Sequence, residues 1–148
     1  MYKELAEALK KQKQVQLEQD SRGVKITLAA TLLFSSGSSE LSDKGKSVLK
    51  RLSYALSRRN DLKIIIEGHS DNVFIKGNLA KKYKSNWELS ATRSLTVLHY
   101  IAAHNIPESQ LEARAHGSNR PIASNNNQQG RAKNRRIEIV IMRTKKEL

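Results

Sequence analysis

Between Leu62 and Ile66 the only polar residue is Lys63, and Leu62, Ile64, Ile65 and Ile66 are all large and apolar. A strand turns successive side chains to opposite faces. Adjacent isoleucines therefore demand cover on both sides, as in the centre of a sheet. This strand runs straight into Glu67-Gly68-His69-Ser70-Asp71, and about fifteen polar, lysine-rich residues follow. Regular structure resumes at Ser85-Asn86-Trp87-Glu88, where Ser85 and Glu88 have the spacing of a helix capping box. Arg93 lies two turns into that helix. A carboxylate leaving a strand and a guanidinium entering a helix, joined by one long loop, suggest a pocket for a ligand of opposite charges.

Residues 1–14 are rich in Lys, Glu, Gln, Ala and Leu and favour helix. Leu5 and Leu9 share one face, but the stripe ends there, so the segment is expected to bury little and to act as a linker or connecting helix. Residues 15–32 read as a hairpin turning at Asp20-Ser21-Arg22-Gly23. Residues 34–39 form a serine-rich loop. Ser42 or Asp43 then caps a helix to about residue 58, with Val48, Leu49, Leu52, Ala55 and Leu56 on one face. In the helix from Ser85 to about Asn105, the expected core face is Ala91, Leu95, Leu98, Ile101 and Ala102. Alternation at Leu111, Ala113 and Ala115 gives a further extended element. Residues 118–129 are polar and asparagine-rich and read as loop, and Ile137, Ile139 and Ile141 mark a last strand. The resulting fold class is α+β, an α/β sandwich with a mixed sheet of about four strands and two main helices on one face. The domain runs from 15 to 143, followed by a charged tail at 144–148.

One core is what 148 residues can supply. The longest apolar run, residues 28–34 with Thr31 inside, is too short to cross a bilayer. There are no cysteines, which excludes disulfides and thiolate-held metal. A formal charge of +13 predicts attraction to a polyanion: nucleic acid, anionic lipid or an acidic wall polymer. The basic clusters accompany no helix-turn-helix, zinc finger or aromatic stacking platform, so no nucleic acid is expected. Of the four histidines, His99 and His104 have the wrong spacing for one helical face. His69 and His116 end predicted strands and could approach Asp71. No metal-binding motif is present, however, and no metal or cofactor is expected. No serine sits in a nucleophile elbow, so hydrolase chemistry has no positive signal.

From periodicity alone Arg93 reads rather as a boundary residue whose stem packs while its head reaches water, and Asp71 alone can be a loop cap. Taken with Asn86, near the positive end of the helix, they read as a site for a zwitterion. Arg93 would then take a carboxylate and Asp71 an ammonium.

The ordered segments Gly68-His69-Ser70-Asp71, Asn86-x-x-Leu89-Ser90-x-x-Arg93 and Asn134-Arg135-Arg136-Ile137-Glu138-Ile139 resemble the OmpA C-terminal, peptidoglycan-binding family. Residues 33–38 and Gly117, Pro121 and Asn125 extend the likeness over about 15–143. Within the family, residues 85–90 and the long insert before them are most similar to the flagellar-stator branch. The resemblance implies a non-enzymatic grip on the diaminopimelate of the peptidoglycan stem peptide. It assigns binding to Asp71 and Arg93, with Asn86, Ser70, Phe34, Ser35 and Ser36 lining the pocket. Ser70 replaces the family's usual threonine and keeps its hydroxyl. For Arg135 and Arg136, a structural clamp and a ligand contact both remain open. The resemblance further implies a homodimer, a periplasmic location, and a membrane-embedded motor partner reached through an N-terminal membrane helix. That helix is not among these residues, so a periplasmic fragment is expected. The alternatives are an envelope anchor of another system, such as a secretion component or a Pal/OmpA-type protein, and, from a different class, a basic nucleic-acid-binding protein.

Overall fold

The computed structural model describes residues 1–10 and 12–144. The hairpin forms as the sequence predicts, from β1 (Val15–Asp20) and β2 (Gly23–Ala29). Asp20 Oδ1 accepts from the backbone N–H groups of Arg22 and Gly23 and closes the turn. Gly23 sits at φ 146°, and a Cβ there would lie 2.1 Å from the Ile141 carbonyl oxygen, so a side chain is excluded. The chain then makes a short helix, α2 (Ala30–Leu33), where the sequence suggests continued strand. Leu32 and Leu33 are buried by this turn.

Helix α3 (Asp43–Leu56) starts at Ser42, whose Oγ accepts from Gly45 N at 2.9 Å. Strand β3 (Leu62–His69) crosses the molecule. The long loop after it contains a single short helix, α4 (Asn78–Lys82), before α5 (Asn86–Ala102). A 3-10 turn at Glu108–Gln110 leads into β4 (Leu111–Ala115). Within the asparagine-rich region lies a helix that the sequence hides, α6 (Gln128–Asn134), followed by β5 (Arg136–Arg143). The sheet is mixed and has five strands, one more than expected, in the order β1-β2-β5-β3-β4. Strand β5 lies antiparallel between β2 and β3, and β4 runs parallel to β3 at the edge.

One face of this sheet carries Ile26, Leu28, Ile64, Ile66, Ile137, Ile139 and Ile141, all buried against α3 and α5. Helix α1 (Tyr2–Leu9) joins the same core, which corrects the expectation that it buries little. Leu5 and Leu9 are 1% and 3% exposed. Each leucine so buried contributes roughly 1.5–3 kcal/mol. Two apolar residues one turn apart are enough when a partner helix lies beneath them. Lys145–Leu148 of the expected tail lie outside the described residues, whereas Thr144 N donates to Asp61 O at 2.7 Å.

The core face of α5 also differs from the periodicity reading. Its buried residues are Leu89, Ser90, Ser94, Val97 and Ile101, while Leu95 is 45% exposed. Close approach to the sheet accounts for this. A Cβ on Gly68 would lie 2.2 Å from Ser90 O, so the helix backbone rests on a glycine of β3. Small residues fit this contact and a leucine does not. The serine hydroxyls are satisfied locally, Ser90 Oγ donating to Trp87 O and Ser94 Oγ to Ala91 O.

Among the described residues, no helix packs on the opposite face. There the register aligns Lys25, Val140, Ile65 and Glu112 across four strands. Ile65 and Val140 are nonetheless 5% exposed, because long charged side chains flank them. The strand is covered on both sides as expected, but by different material on each.

Candidate functional site

The end of β3 is held on two sides. Ser70 N donates to Gly117 O at 2.8 Å, and Gly117 N donates to Ser90 Oγ at 3.1 Å, joining β3, the loop after β4 and α5. Gly117 takes φ 57°, a left-handed turn suited to glycine. Asp71 leaves this knot with its side chain in a cavity of about 560 Å3. Its Oδ1 accepts from Val73 N at 3.0 Å, and its Oδ2 accepts from Arg135 Nη1 at 2.6 Å. Asn86, the first residue of α5, donates through Nδ2 to Asp71 O and Val73 O, tying the loop to the helix N-terminus. The capping box is present in altered form: Ser85 Oγ accepts from Trp87 N and donates to Glu88 Oε1.

Arg93 closes the other side. Its Nε and Nη2 donate to Ser38 O at 3.0 and 2.8 Å, and its guanidinium lies over the Phe34 ring at 4.9 Å. Burial depresses the Arg93 pKa. Tyr83 and Asp71 act against that shift, and nearby Arg135 reinforces it. Arginine nevertheless stays charged in proteins. Among the described residues its hydrogen bonds go to a carbonyl and no ion pair satisfies it. Arg93 is thus a desolvated cation on a cavity wall with anion-binding capacity in reserve. The loop carrying Ser38 is itself tied to the long insert, because Tyr83 Oη donates to Ser39 Oγ at 2.6 Å.

Eight of the nine site residues expected from sequence line this one cavity: Phe34, Ser35, Ser36, Ser70, Asp71, Asn86, Arg93 and Arg135. Arg136 does not. Its side chain is buried on the open face of the sheet, with Nε to Glu138 Oε2 at 2.7 Å, Nη1 to Asn134 O and Nη2 to Arg120 O. The geometry gives Arg136 the work of a clamp on the loop before α6 and gives Arg135 the place beside Asp71. Neighbouring residues entering a strand point to opposite faces, so both could not serve one pocket. Residues that sequence reading missed also line the cavity, including Val73, Phe74, Ile75 and Leu79. Phe74 is 89% exposed at its mouth. The insert containing them was legible only as polar loop.

This fold and site define a domain of the OmpA family, whose sequence model matches residues 33–135, more than half of the chain. The chain belongs to that family. It is 31% identical over 130 residues to motility protein B of Bacillus subtilis (strain 168), covering 87% of this chain and 49% of that one. Among solved structures, it is similar to a putative MotB-like protein from Desulfovibrio vulgaris at TM-score 0.88 and 30% identity, over 96% of this chain and 91% of that chain. The cell wall anchor of the T6SS from Pseudomonas aeruginosa superposes at TM-score 0.84 and 30% identity, over 95% and 97%. The chain spans about half the length of the motility protein it matches.

Proposed function

We propose that this domain binds peptidoglycan noncovalently, holding the diaminopimelate of the stem peptide between Asp71 and Arg93. The observation that carries the reading is the desolvated, carboxylate-free Arg93 facing the same cavity as Asp71. A diaminopimelate side chain ends in an amino acid, with an ammonium and a carboxylate on one carbon. The carboxylate suits Arg93, which retains a guanidinium nitrogen outside its two bonds to Ser38. The ammonium suits Asp71, whose oxygens each have a second lone pair beyond their bonds to Val73 and Arg135. Arg135 steadies the carboxylate, and Asn86 fixes the loop that presents it.

Each charge-assisted bond is worth about 1.5–3 kcal/mol, which gives selectivity and modest single-site affinity. The grip requires no nucleophile and makes no covalent bond. A homodimer on a polymeric wall would multiply that affinity through effective concentration. On this reading the domain sits in the periplasm. It anchors a membrane-embedded motor of the flagellar-stator type, reached through a segment N-terminal to these residues. Likeness to motility protein B over 87% of the chain supports this. The fit to the T6SS cell wall anchor at 30% identity supports a second reading, an anchor for another envelope machine. Both readings share one grip.

Cosedimentation with purified peptidoglycan tests the grip. The wild-type chain should pellet with the wall, less so as salt rises, and D71A and R93A should each stay in solution. Retention of both variants on the wall would overturn the site.

A further inference from the structure

The open face of the sheet holds a second constellation that the pocket does not use. Glu67 and Glu138 stand directly opposite each other on β3 and β5, and like charges so paired repel. Beside them His69 and His116 stack with ring centroids 4.9 Å apart. His69 is 5% exposed, and neither of its ring nitrogens has a hydrogen-bond partner. His116 Nε2 is also buried without a hydrogen bond, 3.4 Å from Glu67 Oε2. Buried polar atoms are almost always satisfied, so three orphaned imidazole nitrogens in one place require a reason. Donor atoms of Glu67, His69 and His116 all lie within 4.8 Å of one another.

We propose that Glu67, His69 and His116 form a zinc site at the ends of β3 and β4. Two imidazoles and one carboxylate are a three-ligand set that suits zinc, leaving a fourth position for water. Glu138 Oε1 lies 3.7 Å from His69 Nε2 and is a candidate for that place. From sequence, His69 and His116 could approach Asp71, with no metal expected there. Asp71 is instead committed to Arg135, and the partner the fold supplies is Glu67, two residues before His69 on the same strand face. Zinc holds imidazole nitrogen at about 2.0–2.1 Å, so loading draws the donors together and rotates the rings out of their stack.

Arg114, Arg120, Arg136 and Lys25 all stand near the cluster, and the two that touch its carboxylates, Arg114 and Arg136, leave room for an ion. Arg114 lies 3.6 Å from Glu67 but also bonds Glu112 and is half-exposed, so it can swing away. Arg136 is fixed by two carbonyl oxygens and neutralised by Glu138.

The test uses the tag-free chain and zinc alone, and it is independent of wall binding. Isothermal titration against a competing chromogenic chelator should give one zinc per chain. H116Q and E67Q should each weaken binding by at least about tenfold, whereas H99Q and H104Q leave it unchanged. The cobalt-loaded chain should show visible d–d absorption that H116Q abolishes. His116 is partly exposed, so H116Q remains decisive if a change at buried His69 prevents folding. Absence of stoichiometric zinc binding, or H116Q of native circular dichroism binding as tightly as wild type, would overturn the proposal.

Discussion

Asp71 and Arg135 are 64 residues apart in the chain, and their side chains meet at 2.6 Å on the wall of the cavity. The pair joins the end of β3 to the start of β5, so one wall of the site depends on strands brought together only by the sheet. Arg135 is 37% exposed in its side chain and Asp71 is largely buried. The pair therefore serves orientation more than stability. R135A should change unfolding free energy by no more than about 1 kcal/mol and still weaken wall binding several-fold. Urea denaturation and peptidoglycan cosedimentation of the same variant measure the two effects.

Gly68 sets the distance between α5 and the sheet, and hence the position of Arg93. The Cβ introduced by G68A would fall 2.2 Å from Ser90 O, a backbone atom that cannot turn aside. Such overpacking costs about 1–3 kcal/mol. The urea midpoint of G68A should fall by a matching amount, with binding reduced in the folded fraction. An unchanged midpoint would mean that α5 is free to shift.

Burial, aided by the positive charge of Arg136, pushes the His69 pKa down to about 3 from an ordinary 6.5. The unfolded chain takes up this proton below pH 6.5, and the folded chain does so only near 3. Stability from this group is complete above 6.5 and is lost as pH falls through that window, by at most about 1.4 kcal/mol per unit. In EDTA, H69Q should show a shallower decline in urea stability between pH 6.5 and 4 than wild type. Equal slopes would contradict this assignment.

Asn134 is fully buried at the end of α6. Its Oδ1 accepts from Ile122 N and Ala123 N, and its Nδ2 donates to Ala123 O and Asn125 Oδ1. N134A strands these partners, at about 1–3 kcal/mol for each group left unsatisfied. The thermal midpoint should drop, and amide exchange at Ile122 and Ala123 should quicken.

Local chemistry made much of the site legible in the sequence. Ser42 and Ser85 announce their helices, and Asp71, Asn86 and Arg93 follow spaced motifs, so the pocket's chemical identities precede its geometry. What stayed hidden depends on contacts distant in the chain. The core face of α5 was misread because Ser90 and Ser94 score as polar, yet their hydroxyls bond one turn back and their small size suits Gly68. The burial of Leu5 and Leu9 depends on α3 lying beneath them. The Glu67–Glu138 opposition depends on β5 inserting between β2 and β3, which no local pattern specifies. Strand parity separates Arg135 from Arg136.

The central claim is that Asp71 and Arg93 recognise the two charges at the end of a diaminopimelate side chain. Two soluble stem peptides test it most directly, one carrying diaminopimelate and one carrying lysine, which has the ammonium without the carboxylate. In an NMR titration, the diaminopimelate peptide should shift the Asp71, Asn86 and Arg93 amides and bind at least about tenfold more tightly than the lysine peptide. R93A should erase that preference. Equal affinity for both peptides, or an R93A variant that still discriminates between them, would contradict the account.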